Sequence, residues 1–114
     1  MNKTLYKTNL VIFGGDGDLS YRKIFPAIYH RVKENQLSKE TNIIVVSKNT
    51  SDVNSFFEEL KKHLSIHISD IDESVLNQIK KMLYYLSIDL TDVEGYDSLK
   101  QVLSKNKMEQ DVFY

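Results

Sequence analysis

The chain has no cysteine and no tryptophan, one proline (Pro26), and only four glycines in 114 residues. Without thiols there is neither a disulfide framework nor a thiolate metal site, and the lack suits a reducing compartment, so the cytoplasm is the expected location. An excess of charge is missing too: 15 basic side chains stand against 16 acidic ones. That balance leaves no electrostatic footprint for DNA, RNA or an anionic membrane. No apolar run approaches the roughly 18–20 residues that cross a bilayer, and the opening MNKTLYKTN lacks a signal-peptide core. Of the three histidines only His63 and His67 sit four apart, with no third ligand and no H-E-x-x-H pattern, so no metal is expected. A small-molecule partner and one domain over residues 1–114 are the expectation, since single domains run to about 100–150 residues.

What is present is an alternation of strand-like and helix-like segments. Leu10 to Phe13 is a continuous apolar run closed by Gly14-Gly15, as a strand buried on both faces should be. A short turn over Asp18 to Lys23 and then a helix to about Lys33 are predicted, with Pro26 in the opening turn where its missing N–H costs little. Ile43 to Val46 is β-branched and reads as the second strand. Val53, Phe56, Phe57, Leu60 and Leu64 form one helical stripe that Ser51 or Asp52 can cap. A further helix carries Val75, Ile79, Met82 and Leu83 on its buried side, with Asp72 near its start. Tyr84 to Leu90 alternates as a third strand. Thr91 and Glu94 have capping-box spacing ahead of the stripe Tyr96, Leu99, Val102 and Leu103, and Asp111 to Tyr114 reads as a fourth strand. This order predicts an α/β fold: a Rossmann-like, doubly wound parallel sheet, about its first half, with four strands and helices on both faces. An apolar end such as DVFY is read as a cut inside a longer enzyme.

Three of the four glycines crowd into GGDGDLS, between the first strand and the first helix. A turn there gathers backbone N–H groups and the positive end of a helix dipole, a natural phosphate site. Gly15, Gly17 and Ser20 fit G-x-G-x-x-(small), a pattern that is weak alone but here sits in the strand-turn-helix context it requires. The plainer reading is a turn that uses glycine for geometry and binds nothing. An EF-hand fails because Tyr21 stands where the loop needs glycine, and a Walker A loop fails for want of Gly-Lys-Ser/Thr. A dinucleotide remains. At the end of the second strand, where NAD enzymes offer an acid to the ribose, this chain has Lys48, which favours the 2′-phosphate of NADP unless it is simply a solvated surface charge. Ser47 and Thr50 are further hydroxyl donors there.

The run GGDGDLSYRKIFPAIY resembles the amino-terminal signature of the glucose-6-phosphate dehydrogenase family, with Gly14, Gly17, Asp18, Leu19, Arg22, Lys23, Ile24, Pro26, Ala27 and Ile28 on the pattern and Ser20 at its small position. LSKETNIIVVSK, LSIDLTDVEGYDSLKQVL and DVFY are similar to the family's next three strands and their flanks. The resemblance implies oxidation of glucose 6-phosphate at C1 with hydride transfer to NADP, NAD being the alternative, in the pentose phosphate pathway. It implies coenzyme contacts at Gly14, Gly15, Asp16, Gly17, Asp18, Leu19, Ser20 and Tyr21, at Lys48, and at Asp89 and Leu90 by the adenine end. The sugar-phosphate and general-base motifs of such enzymes fall outside these residues, so no residue is assigned to catalysis and the 114-residue chain is expected to be inactive alone. A free-standing module with a nucleotide-binding or protein-interaction role is the alternative, and pairing between chains through the last strand is expected of an open edge.

Three positions depart from the family pattern. Asp16 puts a negative charge beside the expected phosphates, predicting weakened NADP affinity or drift toward NAD. Tyr21 replaces a frequent basic residue, and Lys48 offers a point charge where a planar guanidinium is usual. Asp18 is read first as a helix cap and second as a coenzyme contact.

Overall fold

The computed structural model describes residues 7–89, 91–105, 108 and 110–114. Its strands are β1 (Thr8–Phe13), β2 (Asn42–Ser47), β3 (Leu83–Ser87) and β4 (Gln110–Phe113). The helices are α1 (Phe25–Lys33), α2 (Val53–His67), α3 (Glu73–Met82) and α4 (Val93–Lys105), and a π-helical turn, Ser20–Ile24, runs directly into α1. All three strand pairs are parallel, in the order β3-β2-β1-β4.

Period-two alternation in β1 and β2 divides the core. Leu10, Ile12, Ile43 and Val45 face one side, where they meet Phe25, Ile28 and Tyr29 of α1, Phe56, Leu60 and Leu64 of α2, and Val75 and Ile79 of α3. Val11, Ile44 and Val46 face the other, packed with Leu99 of α4. Both faces are covered, so these strands read as unbroken apolar runs. Each fully buried aliphatic or aromatic side chain contributes about 1.5–3 kcal/mol relative to its exposed state.

Polar pairs fix the register at the amino-terminal ends of the strands. Asn9 lies opposite Asn42 and Asp111. Asn42 Nδ2 donates to Asn9 Oδ1 at 3.0 Å, and Asn9 Nδ2 donates to Asp111 Oδ1 at 2.9 Å. A one-residue slip would strand these amides, and a buried unsatisfied donor costs about 1–3 kcal/mol.

Several sequence expectations need correction. Leu83 opens β3 instead of closing α3, because the chain turns extended there, at φ −78° and ψ 136°. β3 ends at Ser87, short of the predicted Leu90, and Leu90 lies outside the described residues. Thr91 does not cap α4: its N–H and hydroxyl both donate to Asp89 Oδ1, at 3.0 and 2.7 Å, and Asp92 Oδ1 takes the N–H of Glu94 at 3.1 Å. Asp52 and Asp72, not Ser51, cap α2 and α3, accepting from Ser55 N and Ser74 N. The first helix is also more continuous than predicted. Phe25 N reaches back five residues to Ser20 O, and this wide turn shifts the hydrogen-bond register just ahead of Pro26, which has no N–H to give.

Candidate functional site

Parallel pairing in the register Phe13↔Val46 and Ser47↔Ser87 brings the exits of β1, β2 and β3 to one rim of the sheet. The turn after β1 is tied to that rim by Gly14 N, which donates to Val46 O at 2.8 Å. Gly14 has φ +62°, the left-handed region where a Cβ is strained. Gly15 is held to glycine by packing: a Cβ there would stand 2.5 Å from Val45 Cγ1. Gly17 N closes the turn on Gly14 O at 2.8 Å, and Tyr21 N donates to Gly17 O at 3.1 Å.

These bonds change which amides can meet an anion. Gly14 and Gly17 spend their N–H groups inside the turn. Among the described residues, no hydrogen-bond acceptor faces the N–H groups of Gly15 and Asp16, nor those of Asp18, Leu19 and Ser20 in the first helical turn. Five donors therefore lie along the turn and the first helical turn, two of them in the buried residues Gly15 and Ser20, where the helix carries the positive end of its dipole. Asp18 does not cap this helix. Its carboxylate pairs with Arg22 Nε one turn on, at 2.9 Å on the surface.

Asp16 does the most to define the rim. Its Oδ2 accepts from Ser47 Oγ at 2.9 Å and from Asn49 Nδ2 at 2.7 Å. Ser47 Oγ in turn accepts from Asn49 N at 3.0 Å, so its one proton is committed to Asp16. The Asn49 carbonyl takes the hydroxyls of Tyr85 and Ser87, both at 3.0 Å, locking the β2 exit to the β3 exit. Sequence reasoning named Ser47 and Lys48 but missed Asn49. The available signal was parallel pairing itself, which sets residues just past β2 against the turn just past β1.

Two clefts flank Asp16. The first, of about 420 Å³, is lined by Gly14, Asp16, Val46, Ser47, Lys48, Asn49, Ile88, Asp89 and Thr91. The two bonds from Thr91 hold the Asp89 carboxyl below its ordinary range, and Lys48 adds to that effect. The second, of about 270 Å³, is lined by Asp16, Tyr21, Glu59 and Tyr85 among others. Tyr21 is buried there, stacked on His63 with ring centroids 4.0 Å apart and on Phe56 at 5.8 Å. Burial first, and the charges of Asp16 and Glu59 after it, push its phenol up to about 12. The structure thus gathers Gly14, Asp16, Lys48 and Asp89 about one cleft and sets Tyr21 beside the other. Gly15, Gly17, Asp18, Leu19 and Ser20 line neither, and the Ser20 hydroxyl is buried with no hydrogen-bond partner among the described residues. Thr50 is exposed and lines neither cleft.

A parallel sheet ordered 3-2-1-4, with a glycine turn leading from its first strand into a helix, defines the nucleotide-binding half of a doubly wound, Rossmann-type fold. Within that class the family is specific. A family model described as "Glucose-6-phosphate dehydrogenase, NAD binding domain" matches residues 11–114, and the chain belongs to that family. Glucose-6-phosphate 1-dehydrogenase of Rhizobium meliloti (strain 1021) is 35% identical over 108 residues, covering 91% of this chain and 22% of the relative. The enzyme of the same name from Mycolicibacterium smegmatis (strain ATCC 700084 / mc(2)155) is 35% identical over 98 residues, or 84% of this chain and 20% of the relative. A solved structure, "Glucose-6-phosphate dehydrogenase in complex with its substrate glucose-6-phosphate", superposes with a TM-score of 0.84 at 27% identity, covering 99% of this chain and 25% of that one. The chain spans about a fifth of the length of these curated relatives.

Proposed function

We propose that this chain supplies the coenzyme-binding domain of a cytoplasmic glucose-6-phosphate dehydrogenase, in which glucose 6-phosphate is oxidised to the lactone and hydride passes to a nicotinamide dinucleotide, NADP or NAD. The observation that carries this reading is the set of amides with no acceptor among the described residues, at Gly15, Asp16, Asp18, Leu19 and Ser20, along the turn that leads from the strand-exit rim into the first helix; of these residues Asp16 also lines the cleft. A dinucleotide fits the residues present. The amides suit its diphosphate, the apolar wall of Val46 and Ile88 suits adenine, and the polar rim of Asp16, Lys48 and Asp89 suits the ribose. When bound, the coenzyme supplies the hydride acceptor; this chain's residues bind and orient it. No described residue is assigned to the sugar or to proton abstraction; the chain spans about a fifth of the length of its curated relatives, and turnover by the chain alone is not expected.

Calorimetric titration of the purified chain with each coenzyme tests the reading. Binding of at least one, without reduction of either in the presence of glucose 6-phosphate, is the expected result; binding of neither contradicts it. Lys48→Ala is expected to weaken NADP about tenfold and NAD less, because one charge-assisted phosphate contact is worth about 1.5–3 kcal/mol. Equal losses would remove Lys48 from the 2′-phosphate. The edge strand β4 supports a further proposal, self-association, because Phe113 and Tyr114 are each about half exposed. Among the described residues no helix is long and apolar enough to cross a membrane.

A further inference from the structure

We propose that Asp16 makes this domain select the coenzyme with a free ribose 2′-hydroxyl over its 2′-phosphorylated form, with Ser47 and Asn49 as the residues that position the carboxylate. The inference rests on the coenzyme-binding reading above and deepens it.

Three observations carry it. The first concerns donors. A 2′-phosphate needs hydrogen-bond donors at the second strand's exit, and two of the groups placed there, Ser47 Oγ and Asn49 Nδ2, already donate to Asp16 Oδ2. Asp16 thus occupies, from within the protein, partners that an incoming phosphate would require. The second concerns charge. Across the residues lining the two clefts that flank Asp16, there are three carboxylates, Asp16, Asp89 and Glu59, and one cation, Lys48. Lys48 also interacts with Asp89. A 2′-phosphate brings about −1.5 to −2 charges into this acidic surround, where like charges repel and one shared ammonium cannot balance them.

The third concerns what the site can accept. Both bonds to Asp16 fall on Oδ2, and Oδ1 receives none from the described residues. A carboxylate oxygen held in place with its lone pairs open is an acceptor for a hydroxyl donor and has nothing to offer a phosphate, which carries no proton to donate when doubly ionised. Discrimination of this kind needs both an attraction for one ligand and a repulsion for the other, and one side chain supplies both. The acid comes here from the turn after β1, not from the end of β2 where sequence reasoning looks for it.

The test is a calorimetric titration of NAD⁺ and NADP⁺ with the full chain and with Asp16→Asn and Asp16→Thr. The unaltered chain is expected to bind NAD⁺ at least tenfold more tightly. Both variants should bring the ratio near one or reverse it, chiefly by strengthening NADP⁺, and Asp16→Asn does so without changing the side chain's shape. Added salt should narrow the preference of the unaltered chain by screening the repulsion. Equal or tighter NADP⁺ binding by the unaltered chain, or an unchanged ratio in the variants, overturns the selectivity while leaving the coenzyme-binding reading intact. Binding of neither coenzyme overturns both.

Discussion

Replacing Gly15 by valine is expected to destabilise the fold by about 3 kcal/mol, the upper end of what overpacking a close-packed site usually costs. The new Cβ would lie 2.5 Å from Cγ1 and 3.2 Å from Cβ of Val45, a side chain with no exposure. Gly14 offers an internal contrast. Nothing lies within 4 Å of its Cβ position, so Gly14→Ala should lose only the backbone strain of φ +62°, about 1–2 kcal/mol. Urea denaturation of the two variants measures both losses. A double-mutant cycle sharpens the point: Gly15→Ala with Val45→Ala should cost about 1 kcal/mol less than the two single losses added together. Plain additivity would mean that this glycine is not held by its approach to β2.

The second large effect is expected at Phe56, where truncation to alanine should cost about 3–5 kcal/mol. Its buried ring joins the elements that carry the rim: it lies 5.8 Å from Tyr21 in the π-helical turn, 5.5 Å from Phe25 in α1 and 5.8 Å from Tyr85 in β3. Tyr85 in turn donates to the Asn49 carbonyl, so the loss should reach the residues that hold Asp16. Phe56→Leu, which refills most of the volume, should recover more than half of the stability. A loss below about 1 kcal/mol for the alanine variant, measured by denaturation, would show that the rim stands without this aromatic support.

The order of elements was legible in the sequence because each depends on local periodicity. The β-branched run Ile43 to Val46 and the stripe Val53 to Leu64 need no knowledge of their neighbours, and both appear where expected. Boundaries were less legible where two elements abut with no glycine or proline between them. Leu83 continues the apolar spacing of α3 and also begins β3, and only its extended backbone decides between them. The Thr91 cap misled because α4 opens at Val93, so Asp92, and not Thr91, stands next to the helix and takes the N–H of Glu94. At the site, the sequence marked the turn, its glycines and the odd acid Asp16. It did not disclose that the Gly14 amide is used up on Val46 O, nor that Ser47 and Asn49 converge on Asp16, because these contacts span about thirty residues of chain; the Gly17 amide is used up locally, on Gly14 O, by the shape of the turn itself. Asp18 read as a cap from its position alone, but its backbone is already helical ahead of the π-helical turn, and its carboxylate pairs with Arg22.

The central claim is that the amides of Gly15, Asp16, Asp18, Leu19 and Ser20 receive the diphosphate of a nicotinamide dinucleotide. It is tested most directly by following the backbone ¹⁵N–¹H resonances of the labelled chain during titration with the coenzyme. The account predicts saturable shifts at those five amides and at Lys48 and Asn49, with Asn9, Asn42 and Asp111 at the far end of the sheet unmoved. Saturable shifts confined to that far end, or a turn whose five amides stay still while the coenzyme binds elsewhere, would contradict it.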